Sequence, residues 1–167
     1  SGGSTFGLYV SVPFCPSRCS YCSFISQSAS GAGVKKIIPA YIENLCDEIR
    51  YTAKLTERIG IKPDTIYFGG GTPTVLTAPQ LGRVMRAVSE SFDLSQVREY
   101  TIEAGRPDTV TAEKLEAMKQ CGCTRISINP QTLNDEVLKA IGREHNTQQF
   151  YESFKLARAQ GFDSINT

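Results

Sequence analysis

Three cysteines stand close together directly after a short apolar segment. Cys15, Cys19 and Cys22 form a Cys-x3-Cys-x2-Cys spacing, and no fourth Cys or His lies beside them. Thiolates are soft ligands that suit iron and sulfide, and three of them leave one iron of a cubane cluster open to a substrate or cofactor. The spacing therefore indicates a site for a [4Fe-4S] cluster with one open coordination position.

Two other interpretations of the triplet stay open, and each meets an objection. A structural zinc ion takes four ligands, and the only histidine of the chain, His145, lies far away in sequence. A disulfide with a spare thiol is typical of small secreted proteins that cannot build a core. This chain has 167 residues, 40% of them hydrophobic, which is enough for an ordinary core.

Three glycines and two polar residues also follow short apolar segments further along the chain. Gly69, Gly70 and Gly71 follow an apolar segment, and the absence of side chains lets backbone groups approach a ligand closely. A triple glycine alone is equally typical of a tight turn. Glu103 and Gln131 follow the next two apolar segments. Taken singly, each is more typical of a helix cap or a loop hydrogen bond than of a binding site.

Charge and composition exclude several classes of function. Eighteen Lys and Arg residues against 17 Asp and Glu residues give a net charge of +1, so no electrostatic surface for nucleic acid or anionic membrane is expected. No apolar run approaches the roughly 20 residues that span a bilayer. We therefore expect a globular cytoplasmic protein with neither nucleic acid nor membrane as a partner.

The elements that must position these residues alternate along the chain. Short β-branched and aromatic segments predict strands at residues 8–12, 65–68, 100–103 and 125–128, with the start of another at 164–166. Apolar residues at helical spacing predict helices at residues 42–60, 77–92, 111–120, 134–141 and 147–160. Thr77 and Gln80 have the spacing of a capping box.

This alternation predicts an α/β fold with a parallel sheet, either doubly wound or part of a (β/α) barrel. Periodicity alone does not choose between the two. In both folds the carboxyl ends of the strands hold the active site, so the cysteines, the glycines, Glu103 and Gln131 should meet at one edge. Because the sequence stops inside a predicted strand, we expect residues 1–167 to be a fragment of a longer protein.

Three segments resemble motifs of one enzyme family. Residues 9–22, 67–74 and 141–145 are similar to the cluster, glycine and Leu-Gly-Arg-x-His motifs of radical S-adenosylmethionine (SAM) enzymes, in the oxygen-independent coproporphyrinogen III oxidase-like group. Residues 103–108 read Glu-Ala-Gly-Arg-Pro-Asp where most of the group have Glu-Ala-Asn-Pro, and residues 127–131 read Ser-Ile-Asn-Pro-Gln in place of Ser-Ile-Gly-Val-Gln. Both variants resemble the HemZ-type coproporphyrinogen dehydrogenase branch. Phe24, at a position where the best-characterised oxidases have another Cys, points to the same branch.

The resemblance implies a fold and a set of site residues. The fold would be a truncated partial (β/α) barrel of about four and a half strand–helix units, with residues 1–167 as the N-terminal part of a radical SAM core domain. Cys15, Cys19 and Cys22 would ligate the [4Fe-4S] cluster. The residues that would bind SAM are Tyr9, Tyr21, Gly70, Gly71, Thr72, Glu103, Gln131 and Arg143.

The resemblance also implies individual roles for these residues. Tyr21 would lie against the adenine, the segment from Gly70 to Thr72 would contact the methionine amino group, and Arg143 would bind the methionine carboxylate. Glu103 and Gln131 would hold the ribose hydroxyls, and Tyr9 would lie at the cluster mouth. By residue type alone, Tyr9 is more typical of a core. The alternatives for the other two are a hydrophobic plug over the cluster for Tyr21 and an ordinary surface position for Arg143. No role in the site is assigned to His145, Cys46, Cys121 or Cys123.

The function implied is that of a radical SAM oxidoreductase. In the family, electron transfer from the cluster cleaves SAM, and the resulting radical starts the oxidative decarboxylation of two coproporphyrinogen III propionates, giving protoporphyrinogen IX. The alternative is a haem-binding chaperone of the same group without decarboxylase activity. The partners would be a porphyrinogen or haem-type molecule and an electron donor such as flavodoxin or ferredoxin. The isolated fragment is expected to be inactive.

Overall fold

A computed structural model describes residues 4–167, in which five parallel strands form one sheet. The strands are β1 (Thr5–Val12), β4 (Lys62–Gly70), β5 (Glu99–Glu103), β6 (Arg125–Ser127) and β7 (Ser164–Asn166), paired in that order. In a doubly wound sheet the strand order reverses at a switch point, and these strands show no reversal. The order confirms the partial (β/α) barrel.

Helices connect the successive strands of the sheet and cover its buried face. They are α1 (Ala32–Arg58), α2 (Ala78–Ser91), α3 (Ala112–Gln120), α4 (Asp135–Ala140) and α5 (Thr147–Ala159). Helix α1 packs on α2, α2 on α3 and α3 on α5. The predicted capping box is present, because the Thr77 side chain accepts from the Gln80 backbone N–H while the Gln80 side chain accepts from the Thr77 N–H.

Helix α1 begins ten residues before the predicted position, so the sequence prediction was wrong there. The prediction placed the helix after the Gly- and Ser-rich residues 26–33, where apolar residues at helical spacing begin with Ile42. Pro39 lies inside the helix on its exposed face, where water can satisfy the carbonyl that the proline ring leaves without a donor. Ile38 is buried in the core and extends the apolar stripe in the N-terminal direction.

Residues 13–29, called the cysteine segment below, contain two short strands that the sequence did not predict. β2 (Phe14–Cys15) and β3 (Gln27–Ser28) form a parallel pair separate from the main sheet. The Gln27 N–H donates to the Pro13 carbonyl over 2.9 Å, and the Ala29 N–H donates to the Cys15 carbonyl over 2.7 Å. The segment therefore folds back on itself and brings its two ends together beneath the cysteines.

The core lies between the sheet and the helices and fixes the position of each strand end. Ile66, Ile102 and Ile126 are almost fully buried on neighbouring strands, and the register pairs Ile126 with Ile165. Because all the strands are parallel, the segments that follow β1, β4, β5 and β6 leave the sheet at one edge. That edge carries the candidate site.

Candidate functional site

One cavity of about 230 Å³ opens at the carboxyl edge of the sheet, and every site residue expected from the sequence lines it. This value lies below the roughly 300–1,000 Å³ of typical ligand pockets, so the cavity is a small cleft. Tyr9 and Tyr21 stand at its mouth with 57% and 51% of their surface exposed. The cavity brings together Cys15, Cys19, Cys22, Tyr9, Tyr21, Gly70, Gly71, Thr72, Glu103, Gln131 and Arg143.

The three cysteines are free thiols with different surroundings. Cys15 and Cys19 are buried, and Cys22 is half-buried. The Thr72 hydroxyl donates to the Cys15 sulfur over 3.5 Å, and an Arg106 guanidinium nitrogen donates to the Cys19 sulfur over 3.0 Å. Donors aimed at sulfur stabilise its anionic form, which is the form that ligates metals.

This arrangement fits an iron–sulfur cluster better than a single metal ion. Within residues 4–167, no three Cys, His, Asp or Glu side chains converge closely enough to share one ion. The thiolates of a cubane cluster bind different iron atoms at different corners, so they need not converge. Three free thiols around one cavity, two of them with hydrogen-bond donors, are the donor set that such a cluster requires.

The glycine segment at the end of β4 holds the cysteine segment by close backbone contact. The Gly71 N–H donates to the Val12 carbonyl over 2.9 Å, and the Thr72 N–H donates to the Phe14 carbonyl over 2.8 Å. A Cβ on Gly71 would lie 2.6 Å from that Phe14 oxygen. Gly71 is therefore required because its backbone lies against the backbone of Phe14. The sequence pattern did not reveal this requirement.

Gly70 has a separate requirement for the absence of a side chain. Its φ of +101° is a backbone conformation that L side chains rarely adopt. A Cβ there would also lie 2.7 Å from the Ser11 hydroxyl oxygen. Gly70 thus ends β4 with a turn that directs the following backbone to the cavity.

Tyr67 fixes the carboxylate of Glu103, and Tyr9 stacks on Tyr67. The Tyr67 hydroxyl donates to Glu103 Oε1 over 2.5 Å, and the rings of Tyr9 and Tyr67 stack with centroids 5.9 Å apart. Burial, followed by the hydrogen bond to Glu103, raises the pKa of Tyr67 well above its ordinary value, so its hydroxyl stays protonated and donates. Tyr9 lies on the exposed side of this stack, and the core position that is more typical of its residue type is not observed.

A local turn presents Gln131 to the cavity in an unusual conformation. Gln131 has a φ of +62°, the left-handed region that most residues avoid. Its N–H donates to the Asn129 side-chain oxygen over 2.9 Å, and Pro130 between them offers its carbonyl to the His145 ring nitrogen at 3.3 Å. His145 is 2% exposed, so it supports this turn from below.

Arg143 and Tyr21 meet across the cavity mouth. The Arg143 guanidinium donates to the Tyr21 hydroxyl over 3.0 Å and 3.2 Å, and to the Gly105 carbonyl. The Ser20 N–H also donates to the Ile141 carbonyl over 3.2 Å, which ties the turn before Arg143 to the cysteine segment. The guanidinium expected to bind a carboxylate is therefore held at the cavity by two protein partners.

The remaining cysteines lie outside the cavity. Cys46 is fully buried on α1. Burial raises the pKa of Cys123 to about 12, and its thiol lies 3.2 Å from the Arg125 carbonyl oxygen. Neither they nor Cys121 line the cavity, in agreement with the sequence analysis, which assigned them no role in the site.

Comparison with known proteins gives the family. The sequence model of the Radical SAM superfamily matches residues 9–167. The chain therefore belongs to the radical SAM superfamily, whose members use a [4Fe-4S] cluster and SAM. The three cysteines and the eight other residues named from the resemblance line one cavity at the carboxyl edge of the sheet.

Individual relatives of the chain come from one group of that superfamily. It is 39% identical over 160 residues to the oxygen-independent coproporphyrinogen-III oxidase-like protein HemZ of Bacillus subtilis, covering 95% of this chain and 32% of that protein. It is 38% identical over 157 residues to the heme chaperone HemW of Lactococcus lactis, covering 94% of this chain and 38% of that protein. The expected resemblance to the oxygen-independent coproporphyrinogen III oxidase-like group, including a HemZ-type relative, is confirmed.

A solved structure agrees with the fold. Coproporphyrinogen III oxidase (HemN) from Escherichia coli, a radical SAM enzyme, superposes with a TM-score of 0.83 at 29% identity, covering 95% of this chain and 35% of that chain. The chain spans about a third of the length of these relatives. Among residues 4–167, no helix has the length and apolar character needed to cross a membrane.

Proposed function

We propose that Cys15, Cys19 and Cys22 ligate a [4Fe-4S] cluster and that SAM binds beside it in the cavity. The observation that carries this proposal is the convergence of the three free thiols with eight potential SAM-binding residues around one cavity. When bound, the cluster and SAM supply the carbon-centred radical that removes a hydrogen atom from a substrate. The protein supplies the binding, orientation and local charges.

The chain's own residues have distinct tasks in this proposal. The backbone from Gly70 to Thr72, which lines the cavity, meets the methionine amino group. The Arg143 guanidinium offers a planar fork to the carboxylate, and Tyr21, which Arg143 holds by hydrogen bonds, offers a ring to the adenine.

Glu103 and Gln131 would hold the ribose. A carboxylate and an amide can each hydrogen-bond a hydroxyl, and both residues line the cavity. Tyr67 donates to one carboxylate oxygen of Glu103, Oε1, which leaves Oε2 as an acceptor for a ligand. The turn at Asn129 and Pro130 presents the Gln131 amide from the neighbouring strand.

The reaction that we propose for the whole protein is oxidative decarboxylation of coproporphyrinogen III propionates to vinyl groups, giving protoporphyrinogen IX. The relative HemZ and the structural match HemN, both named as coproporphyrinogen oxidases or oxidase-like, support this substrate. An electron donor of the flavodoxin or ferredoxin class and a cytoplasmic location belong to the same proposal.

The second candidate is a haem-binding chaperone without decarboxylase activity. Its support is the 38% identity to the heme chaperone HemW of Lactococcus lactis, almost equal to the identity with HemZ. Both candidates need the cluster cysteines, so the site alone does not separate them.

One experiment separates the two candidates. Anaerobically reconstituted full-length protein is given dithionite, SAM and coproporphyrinogen III, and in parallel it is titrated with haem. Vinyl product and 5′-deoxyadenosine formed together support the oxidase, whereas stoichiometric haem binding without vinyl product supports the chaperone. A Cys15→Ala/Cys19→Ala/Cys22→Ala variant is the control. If the protein neither forms product nor binds haem, both candidates are wrong.

A further inference from the structure

Arg106 is a buried cation for which the sequence analysis assigned no role. Its side chain is 2% exposed and lies in the segment that follows β5. Burial of a charged group is unfavourable unless an opposite charge or several hydrogen bonds compensate for it. None of the ion pairs found among residues 4–167 includes Arg106. The compensation for the buried guanidinium therefore comes from its hydrogen bonds.

The cysteine segment supplies the contacts of this guanidinium. One Arg106 nitrogen donates to the Ser17 carbonyl over 2.6 Å and to the Cys19 sulfur over 3.0 Å, and the other donates to the Ser17 hydroxyl over 3.2 Å. All three acceptors lie within three consecutive residues. A thiolate at Cys19 is the one of these groups that carries a full negative charge.

The backbone around Arg106 is itself held in place. The Thr109 N–H and hydroxyl both donate to the Arg106 carbonyl, over 2.9 Å and 2.7 Å, in the short turn Pro107–Thr109. The Gly105 carbonyl accepts from Arg143. The side chain therefore leaves a fixed backbone directed at Cys19 and does not depend on a mobile loop.

Among the donors that residues 4–167 supply, none to the other two cysteines is charged. Cys15 accepts only from the neutral Thr72 hydroxyl at 3.5 Å, and no side-chain donor to the Cys22 sulfur is found in the described part of the chain. Hydrogen bonds from ionised donors are roughly twice as strong as neutral ones. The electrostatic environment of the three thiols is thus uneven, with the positive charge at Cys19.

We propose that Arg106 is a positioning residue for the cluster, which fixes the Cys19 thiolate by a charged hydrogen bond and raises the reduction potential of the cluster. This inference rests on the proposed cluster at Cys15, Cys19 and Cys22. Reduction adds negative charge to the cluster and its sulfurs, and a neighbouring guanidinium stabilises that charge. Hydrogen bonds to the sulfurs and local charge are among the factors that set cluster potentials.

The test compares Arg106→Met, Arg106→Gln and Arg106→Lys with the unmodified protein after anaerobic reconstitution. The measured quantities are iron content, the rate of iron loss to a ferrous chelator, and the midpoint potential from a redox titration followed by electron paramagnetic resonance. Met and Gln should lower the midpoint potential and accelerate iron loss several-fold. Lys keeps the charge and should recover part of both properties.

Arg18→Met is the matched control. Arg18 lies next to Cys19 in the same segment but is exposed, where solvent and salt screen its charge. Its removal should leave potential and iron loss unchanged, while circular dichroism checks folding of every variant. If Arg106→Met does not fold, Arg106→Gln, which keeps a donor for Ser17, decides the question.

The outcomes distinguish this inference from the proposed cluster site. An unchanged midpoint potential and unchanged iron loss in the folded Arg106→Met or Arg106→Gln protein would overturn the inference while leaving the cluster in place. An equal shift in Arg18→Met would also overturn it, because the effect would then be one of net charge. Full iron retention in the Cys15→Ala/Cys19→Ala/Cys22→Ala protein would instead overturn the cluster site itself.

Discussion

Replacing Gly71 by alanine should disturb the cysteine segment before it affects any ligand. The φ of Gly71 lies outside the left-handed region, so backbone strain is not the obstacle. The obstacle is contact, because the new Cβ would lie 2.6 Å from the Phe14 oxygen and 2.9 Å from its carbonyl carbon and nitrogen. These atoms belong to backbone, which cannot swing away as a flexible side chain would.

The size of the effect follows from this contact. Ordinary van der Waals contact begins at 3.4 Å, so the Phe14 backbone must move by several tenths of an ångström. Overpacking of this kind costs about 1–3 kcal/mol, and loss of the hydrogen bond from the Thr72 N–H to the Phe14 carbonyl costs about 1 kcal/mol. We expect Gly71→Ala to lower the free energy of unfolding by about 2–4 kcal/mol. The melting temperature should fall by about 4–16 °C.

Thermal unfolding and iron content measure the two consequences. Gly71→Ala should melt at lower temperature and retain less iron after reconstitution, since Phe14 precedes the first cluster cysteine. Gly33→Ala is the matched control, because a Cβ on Gly33 in α1 meets no atom within 4 Å. The control should gain up to about 1 kcal/mol from the helix preference of alanine. If both variants melt alike and bind full iron, the backbone contact is not what Gly71 serves.

Three further predictions concern the surroundings of the cavity. Gln131→Gly should raise the free energy of unfolding by about 0.5–1 kcal/mol, because relief of left-handed strain exceeds the added flexibility of the unfolded chain, and SAM affinity by calorimetry should fall. Tyr67→Phe should weaken SAM binding by about tenfold or less through loss of the charged hydrogen bond to Glu103, and equal affinity would contradict this role. Burial lowers the pKa of His145 below its ordinary value of 6.5, so the unfolded chain binds the proton more tightly and stability should decrease as pH falls below 6.5. Urea unfolding at several pH values should show this slope in the unmodified protein and a smaller one in His145→Gln.

Local sequence signals predicted a parallel sheet, and the family resemblance added several of the residues that line the cavity. Alternating strand and helix periodicities imply a parallel sheet, and motifs placed after strands must meet at its carboxyl edge. The capping box at Thr77 and Gln80 is likewise a local pattern, and both of its hydrogen bonds are present.

The features that the sequence did not reveal depend on contacts between distant residues. Arg106 approaches Cys19 across 87 positions of the chain, and a buried arginine has no signature of its own in a sequence. Residues 103–108 differ from the motif that most of the group have, but this difference does not predict where the Arg106 side chain lies. Helix α1 passes through Pro39 because that residue happens to face solvent, which only the packing of Ile38 and the following apolar residues determines.

Cluster binding by the three cysteines is the central claim, and iron analysis tests it most directly. Iron content and the electron paramagnetic resonance spectrum, with and without SAM, are measured for three anaerobically reconstituted proteins. These are the unmodified chain, Cys15→Ala/Cys19→Ala/Cys22→Ala, and Cys46→Ala/Cys121→Ala/Cys123→Ala, which removes the same number of thiols outside the cavity. The first and third should hold about four irons per chain and change their spectrum when SAM is added, and the second should hold none. About four irons retained in the second protein, or lost in a folded third one, would contradict the claim.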